Sequence, residues 1–147
     1  MFRTIVWATD GSKTAAQALP FALELAARDG SKLVAVHVRE VTVGRMGGGP
    51  LYADEPDLRE RLAEQIESLR EDGVDVVLIE RSCTAGRAAK LIAEVAEEHD
   101  ADLIVLGTHG HTRIGGALIG STTQELLHVG TLPVLAIPNG ALVRATA

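Results

Sequence analysis

The chain has 147 residues, 46% hydrophobic but only 3% aromatic, and a formal net charge of −6. Its length suits one domain of roughly 100–200 residues, with a core built from aliphatic side chains and Ala. The acidic balance argues against a nucleic-acid binder, which needs a basic stripe for phosphates; the single cysteine, Cys83, excludes an internal disulfide or a thiolate metal cluster; and no apolar stretch approaches the ~20 residues of a bilayer span.

The N-terminal residues from Met1 to Ile5 lack the apolar region and cleavage site of a signal peptide, so a cytoplasmic protein is expected. Thr4 to Thr9 form a short β-prone run, closed by Asp10-Gly11-Ser12. Ser12 is a candidate N-cap for one helix running to about Arg28, with Gly30 as its stop. Pro20 falls inside that helix and should kink it, because it lacks the backbone donor. Lys32 to Val38 read as a second strand whose near-continuous apolar character suits burial on both faces.

From Arg39 to Pro56 the pattern fails, and Gly44, Gly47, Gly48, Gly49 and Pro50 mark a long flexible loop. A helix is expected from about Asp57 to Glu71, with Leu58, Leu62, Ile66 and Leu69 on one face and Gly73 after it. Val74 to Ile79 give a third strand. Thr84 is a candidate cap for the next helix, which carries Ala88, Leu91, Ile92, Val95 and Ala96 at helical spacing. Leu103 to Leu106 form a fourth strand; a glycine-rich segment, a helix to about His128 and a fifth strand from Pro133 to Ile137 follow. The expected division is one nucleotide-binding domain over residues 1–138 and a flexible tail from 139. Strands alternating with helices predict an α/β fold with an open parallel five-stranded sheet and helices on both faces. Ligands of such sheets bind beyond the carboxyl ends of the strands, where the winding reverses.

The segment GTHGHTRIGGALIGST, Gly107 to Thr122, joins the fourth strand to a helix start. Glycines let backbone N–H groups approach an anion closely, and the first turn of a helix adds donors without intrahelical partners. A Walker A loop and a GxGxxG fingerprint after the first strand are both absent. Present instead is Gly107-x2-Gly110-x9-Gly120-Ser121, with Asp10 ending the first strand. Several side chains have two readings. Asp10 is either a helix cap or a ligand contact. His109 and His111 read as loop residues or, without a third ligand at recognisable spacing, as a metal pair. Arg113 reads as a phosphate contact or a solvated arginine. Cys83 reads as a plain thiol or as one activated near a helix start. Trp7 and His37 read as packing residues.

The run Ile5-Val6-Trp7-Ala8-Thr9-Asp10-Gly11-Ser12, the strand ending His37-Val38 and the complete glycine spacing resemble the universal stress protein family over Phe2 to about Pro138. The glycine spacing resembles its ATP-binding branch. The resemblance implies a Rossmann-like sheet of the adenine nucleotide alpha hydrolase-like kind, a homodimer, and ATP or a related adenine nucleotide with Mg or Mn as companion. It implies that Asp10, with Ala8 and Thr9 beside it, contacts the adenosine and that Val38 lines the adenine pocket. Gly107, Gly110, Gly120 and Ser121 would hold ribose and phosphates, with Thr108, His109, His111, Arg113 and Thr122 in the same segment. Three readings follow: an ATP-binding stress-response regulator without catalytic residues, a ligand-free interaction module that dimerises through its last strand, and a slow adenine nucleotide hydrolase. No nucleic-acid or membrane partner is expected.

Overall fold

The computed structural model describes residues 1–42, 51–52, 56–109 and 119–144. In chain order the elements are β1 (Thr4–Thr9), α1 (Lys13–Ala16), α2 (Leu19–Asp29), β2 (Lys32–Thr42), β3 (Leu51–Tyr52), α3 (Pro56–Glu71), β4 (Val76–Thr84), α4 (Ala88–Glu98), β5 (Leu103–Gly107), α5 (Ser121–Val129) and β6 (Val134–Ile137). Five strands run parallel in the order β4-β2-β1-β5-β6. The two-residue β3 adds to β2 antiparallel, Val41 opposite Tyr52, beyond the point where β1 stops at Thr9 opposite His37. The expected open parallel sheet is therefore present.

Strand alternation divides the core. Ile5 and Trp7 of β1, with Leu33 and Ala35 of β2, pack under α2 and α3 through Ala18, Leu19, Ala22, Leu62 and Ile66. Val6 and Ala8, with Val34, Val36 and Val38, pack under α4 and α5 through Ala89, Ile92, Val95, Ala96 and Leu126. Small Ala positions on α2 and α4 let each helix lie close on the sheet, which a core with so few aromatics needs. The chain leaves β1 toward β2 on one side and later returns to β5 on the other. That reversal opens a crevice between the carboxyl ends of β1 and β5.

Four local expectations are corrected. The single helix from Ser12 is two: α1 stops at Ala16 and α2 begins at Leu19. Pro20 occupies the first turn of α2, where a missing N–H breaks no helical bond, whereas mid-helix its ring would meet the carbonyl four residues back. β2 runs on to Thr42, four residues past Val38. β4 runs from Val76 to Thr84 and not from Val74 to Ile79, in register with β2 as far as Val41 opposite Thr84. Its polar second half lies at the sheet edge, where pairing with β2 holds it without an apolar pattern. Thr84 does not cap α4: it ends β4, its carbonyl accepts from the Arg87 N–H at 3.2 Å, and Arg87 occupies the cap position without a side-chain bond. Of the expected loop from Arg39 to Pro56, residues 43–50 and 53–55 lie outside the described residues.

After β6 the chain turns back: the Ala141 N–H donates to the Pro138 carbonyl at 3.2 Å and the Gly140 N–H to Gln17 Oε1 at 3.0 Å. No helix among the described residues is long and apolar enough to cross a membrane.

Asp102, just before β5, accepts from the N–H groups of Arg3 at 2.7 Å and Thr4 at 3.0 Å, tying the start of β1 to that of β5. These backbone donors, Arg3 first, hold its carboxyl below the usual carboxylate range. The folded chain thus keeps Asp102 ionised at pH values where the unfolded chain protonates it. Its contribution is complete above about pH 5 and is lost as the pH falls through about 4 and lower. Asp102→Ala should lower the melting temperature at neutral pH, and the gap from wild type should narrow steadily in melts taken at and below the ordinary carboxylate range, about pH 4. A gap that persists unchanged there would show that the carboxylate charge is not what holds the two strands.

Candidate functional site

At the carboxyl ends of β1, β2 and β5 lies a cavity of about 190 Å³, walled by α4 and by the first turn of α5. Ala8, Thr9, Asp10, Val38, Gly107, Thr108, His109, Gly120, Ser121 and Thr122 all line it. Gly110, His111 and Arg113 lie outside the described residues. Ala15, Arg39, Glu40, Ala88, Ile92, Leu106 and Thr123 also line the cavity and were not expected there. Ala88 and Ile92 stand one helical turn apart, a spacing that reads equally well as core. Arg39 and Glu40 follow the apparent end of the second strand, so no pattern marked them.

The turn after β1 is held locally. Thr9 Oγ1 accepts from the Gly11 N–H at 3.0 Å and Asp10 Oδ1 from the Ser12 N–H at 2.9 Å. Ser12 then caps α1, its Oγ accepting from the Ala15 N–H at 3.1 Å. Capping is thus the work of Ser12, and the Asp10 carboxylate shapes the turn at the cavity lip. Gly11 has φ +83°, and a Cβ there would also run into the Leu58 side chain.

Facing this turn, the Gly120 N–H donates to the Thr108 carbonyl at 2.6 Å, and Thr123 Oγ1 donates to the Gly107 carbonyl at 3.3 Å. These bonds draw the start of α5 onto the end of β5. Because the Gly120 N–H is engaged inside the protein, the donors left for an anion are those of the first turn of α5, Ser121 to Thr123, which have no helical acceptor one turn back. Thr108 Oγ1 and His109 Nδ1 lie 3.0 Å apart. Among the described residues no group of three or more His, Cys, Asp and Glu side chains is placed to hold a metal ion.

Trp7 is a packing residue: it is buried, and its Nε1–H donates to the Ala15 carbonyl at 3.2 Å. His37 is also buried, with Nδ1 3.6 Å from Glu80 Oε1 on β4. Arg59 of α3 grips both oxygens of Glu80, each at 3.0 Å. That guanidinium, with desolvation opposing it and His37 adding to it, lowers the Glu80 carboxyl below its usual range. Cys83 lies on β4, and burial followed by the negative charge of Glu40 raises its thiol, so the plain-thiol reading holds.

Sheet, reversal and crevice define a Rossmann-like α/β protein with a cavity at its topological switch point. Within that class the universal stress protein profile matches residues 1–138, and the chain belongs to the universal stress protein family. A Thermus aquaticus universal stress protein is 33% identical over 143 residues, which span 93% of this chain and 99% of that one. The universal stress protein A homolog 1 of Coxiella burnetii is 32% identical, spanning 92% of this chain and 96% of its own. A Mycobacterium tuberculosis universal stress protein is also 32% identical, but the match covers 86% of this chain and only 42% of that longer protein. Among solved structures, the universal stress protein UspA from Lactobacillus plantarum superposes with a TM-score of 0.68 at 23% identity, covering 92% of this chain and 97% of that one. A universal stress protein in complex with cAMP gives 0.67 at 24%, covering 95% and 98%. At those identities the likeness is one of fold.

Gly107 admits the backbone of α1: a Cβ built there would lie 2.8 Å from the Thr14 carbonyl oxygen and 3.3 Å from Ala15 Cα. Gly107→Ala should therefore push α1 off the end of β5 and destabilise the protein by about 1–3 kcal/mol, read from the urea midpoint. An unchanged midpoint would mean that α1 does not rest on β5.

Proposed function

We propose that the chain binds ATP, or a related adenine nucleotide, in this cavity and acts in the cytoplasm as a stress-response regulator. The observation that carries the reading is the meeting of Asp10, Val38, Gly107, Gly120 and Ser121, from four separate chain segments, around one cavity. Its apolar end, made by Ala8, Val38, Ala88, Ile92 and Leu106, suits a flat base; the first turn of α5 suits phosphates. A protein of the same fold holds cAMP, so this architecture can house an adenine nucleotide. Mg or Mn would accompany the phosphates, with Asp10 as a carboxylate of the same cavity that could meet the cation. The reading is one of binding and signalling; steady phosphate release from ATP by the purified protein would favour a slow hydrolase instead.

Mass spectrometry of nucleotide released from freshly purified, denatured protein should find an adenine nucleotide. By calorimetry with Mg present, Asp10→Ala should weaken ATP binding about tenfold, the worth of a hydrogen bond or ion contact of 1–2 kcal/mol. Gly120→Val should weaken it at least as much, because its Cβ would lie 3.0 Å from the Thr108 carbonyl oxygen and displace the start of α5. Glu71→Ala, at the far end of α3, should leave the affinity as in wild type. Wild-type affinity in folded Asp10→Ala and Gly120→Val proteins would place the nucleotide elsewhere.

A homodimer through the last strand is a further part of the reading. Among the described residues β6 pairs with β5 alone, and its other edge carries no strand. Leu127 and Val129 beside it are 57% and 56% exposed, and Leu142 is 83% exposed. The Pro133 and Ile137 carbonyls accept from the N–H groups of Ile104 and Thr108, so by alternation the N–H groups of Val134 and Ala136 point outward. Light scattering should give twice the chain mass of 15.5 kDa. Ala136→Pro, which deletes an outward donor and spares the bonds to β5, should shift it to monomer. A wild-type protein of single-chain mass at micromolar concentration would exclude the dimer.

A further inference from the structure

Beyond Val38, β2 carries Arg39 and Glu40 to the cavity wall. Alternation along the strand puts Glu40 on the face of Val38 and turns Arg39 to the other face, where its guanidinium donates to Ser82 Oγ at 3.4 and 3.3 Å. Arg39 is thus drawn toward the edge strand. Glu40 is half-buried, and among the described residues its carboxylate has no hydrogen-bond or ionic partner. Its ladder partner on β4 is Cys83, whose thiol feels its negative charge. The carboxylate therefore stands at the rim of the apolar end, on the face of Val38. A carboxylate only accepts hydrogen bonds, so at this wall it can pair with a donor and with nothing else. A ligand that brings an N–H to this rim gains a hydrogen bond to a charged acceptor; a ligand with nothing there gains none.

We propose that Glu40 sets the base selectivity of the site, its carboxylate accepting a hydrogen bond from the exocyclic amino group of an adenine ring seated against Val38. The inference rests on the nucleotide reading above and adds the residue that distinguishes an amino-bearing base from one without that group. Its effect belongs to the base and not to the phosphates, so it should be the same for the mono-, di- and triphosphate.

Purine riboside triphosphate, which is ATP without the amino group, is the direct probe. Calorimetry of the intact protein should show ATP binding about tenfold or more tighter than this analogue, the worth of one hydrogen bond to a charged acceptor. In Glu40→Ala the two affinities should fall within about twofold of each other, through a loss confined to ATP. Glu40→Gln, which keeps an acceptor of the same length, should restore part of the preference. A melting curve close to wild type verifies that each variant is folded. Equal binding of both nucleotides by the wild type overturns the role of Glu40 and leaves the nucleotide site standing, as does a preference kept in Glu40→Ala. A loss in that variant equal for both nucleotides, and abolished by EDTA, overturns it in favour of a metal-binding carboxylate. Binding of neither nucleotide by the wild type overturns this inference together with the nucleotide site.

Discussion

The site depends on one close approach, that of the α1 backbone to Gly107 at the end of β5. The space for a side chain at Gly107 is filled by the Thr14 carbonyl, and three bonds converge on this point. Trp7, buried in β1, donates from its indole to Ala15 of α1. Thr123 at the start of α5 donates to the Gly107 carbonyl. The Thr108 carbonyl takes the Gly120 N–H. Segments separated by about a hundred residues of sequence are thereby locked at a common height above the sheet. Binding groups held by a packed core need little ordering when a ligand arrives, which is where pre-organised sites gain affinity.

The same economy shapes the layers. With Trp7 as the one large aromatic side chain in the central strand, thickness on both faces is set by Ala, Val, Leu and Ile. Such a core lets helices sit near the sheet, and the loops at its carboxyl end inherit that short distance. The cavity wall from α4 shows the result: Ala88 and Ile92 belong to the core cluster and line the cavity as well. The floor of the site is therefore continuous with the hydrophobic core, so changes in one reach the other through direct contact.

Most of the fold and much of the site were legible in the sequence, for identifiable reasons. Strands buried on both faces, such as β1, β2 and β5, write themselves as unbroken apolar runs. Asp10, Gly107 and Gly120 were readable because turn chemistry is local: a glycine or a short polar side chain has few reasons to be where it is. What escaped was set by pairing. The second halves of β2 and β4 are polar, and each is a strand because the other lies beside it, from His37 opposite Glu80 to Val41 opposite Thr84. Arg39 and Glu40 went unseen for that reason. The break between α1 and α2 escaped because apolar spacing carries on across Pro20, while the backbone cannot. The capping of α1 by Ser12 was legible; the absence of any side-chain cap at α4 was not, since Thr84 has the right chemistry but is held in the ladder.

The two margins of the sheet differ in kind. β4 presents exposed Glu80 and Arg81 along its second half, with Arg59 fixed across Glu80 and Arg81 paired to Glu98. β6 presents Val134, Leu135 and Ala136, and exposed Leu127 and Val129 lie close by. Charged side chains on an outer strand discourage the addition of another strand, whereas aliphatic ones permit it. A chain with one guarded and one permissive margin can extend its sheet in one direction only. Edge-to-edge growth from such a unit is self-terminating, so the protein can carry an open strand without becoming the seed of a fibre.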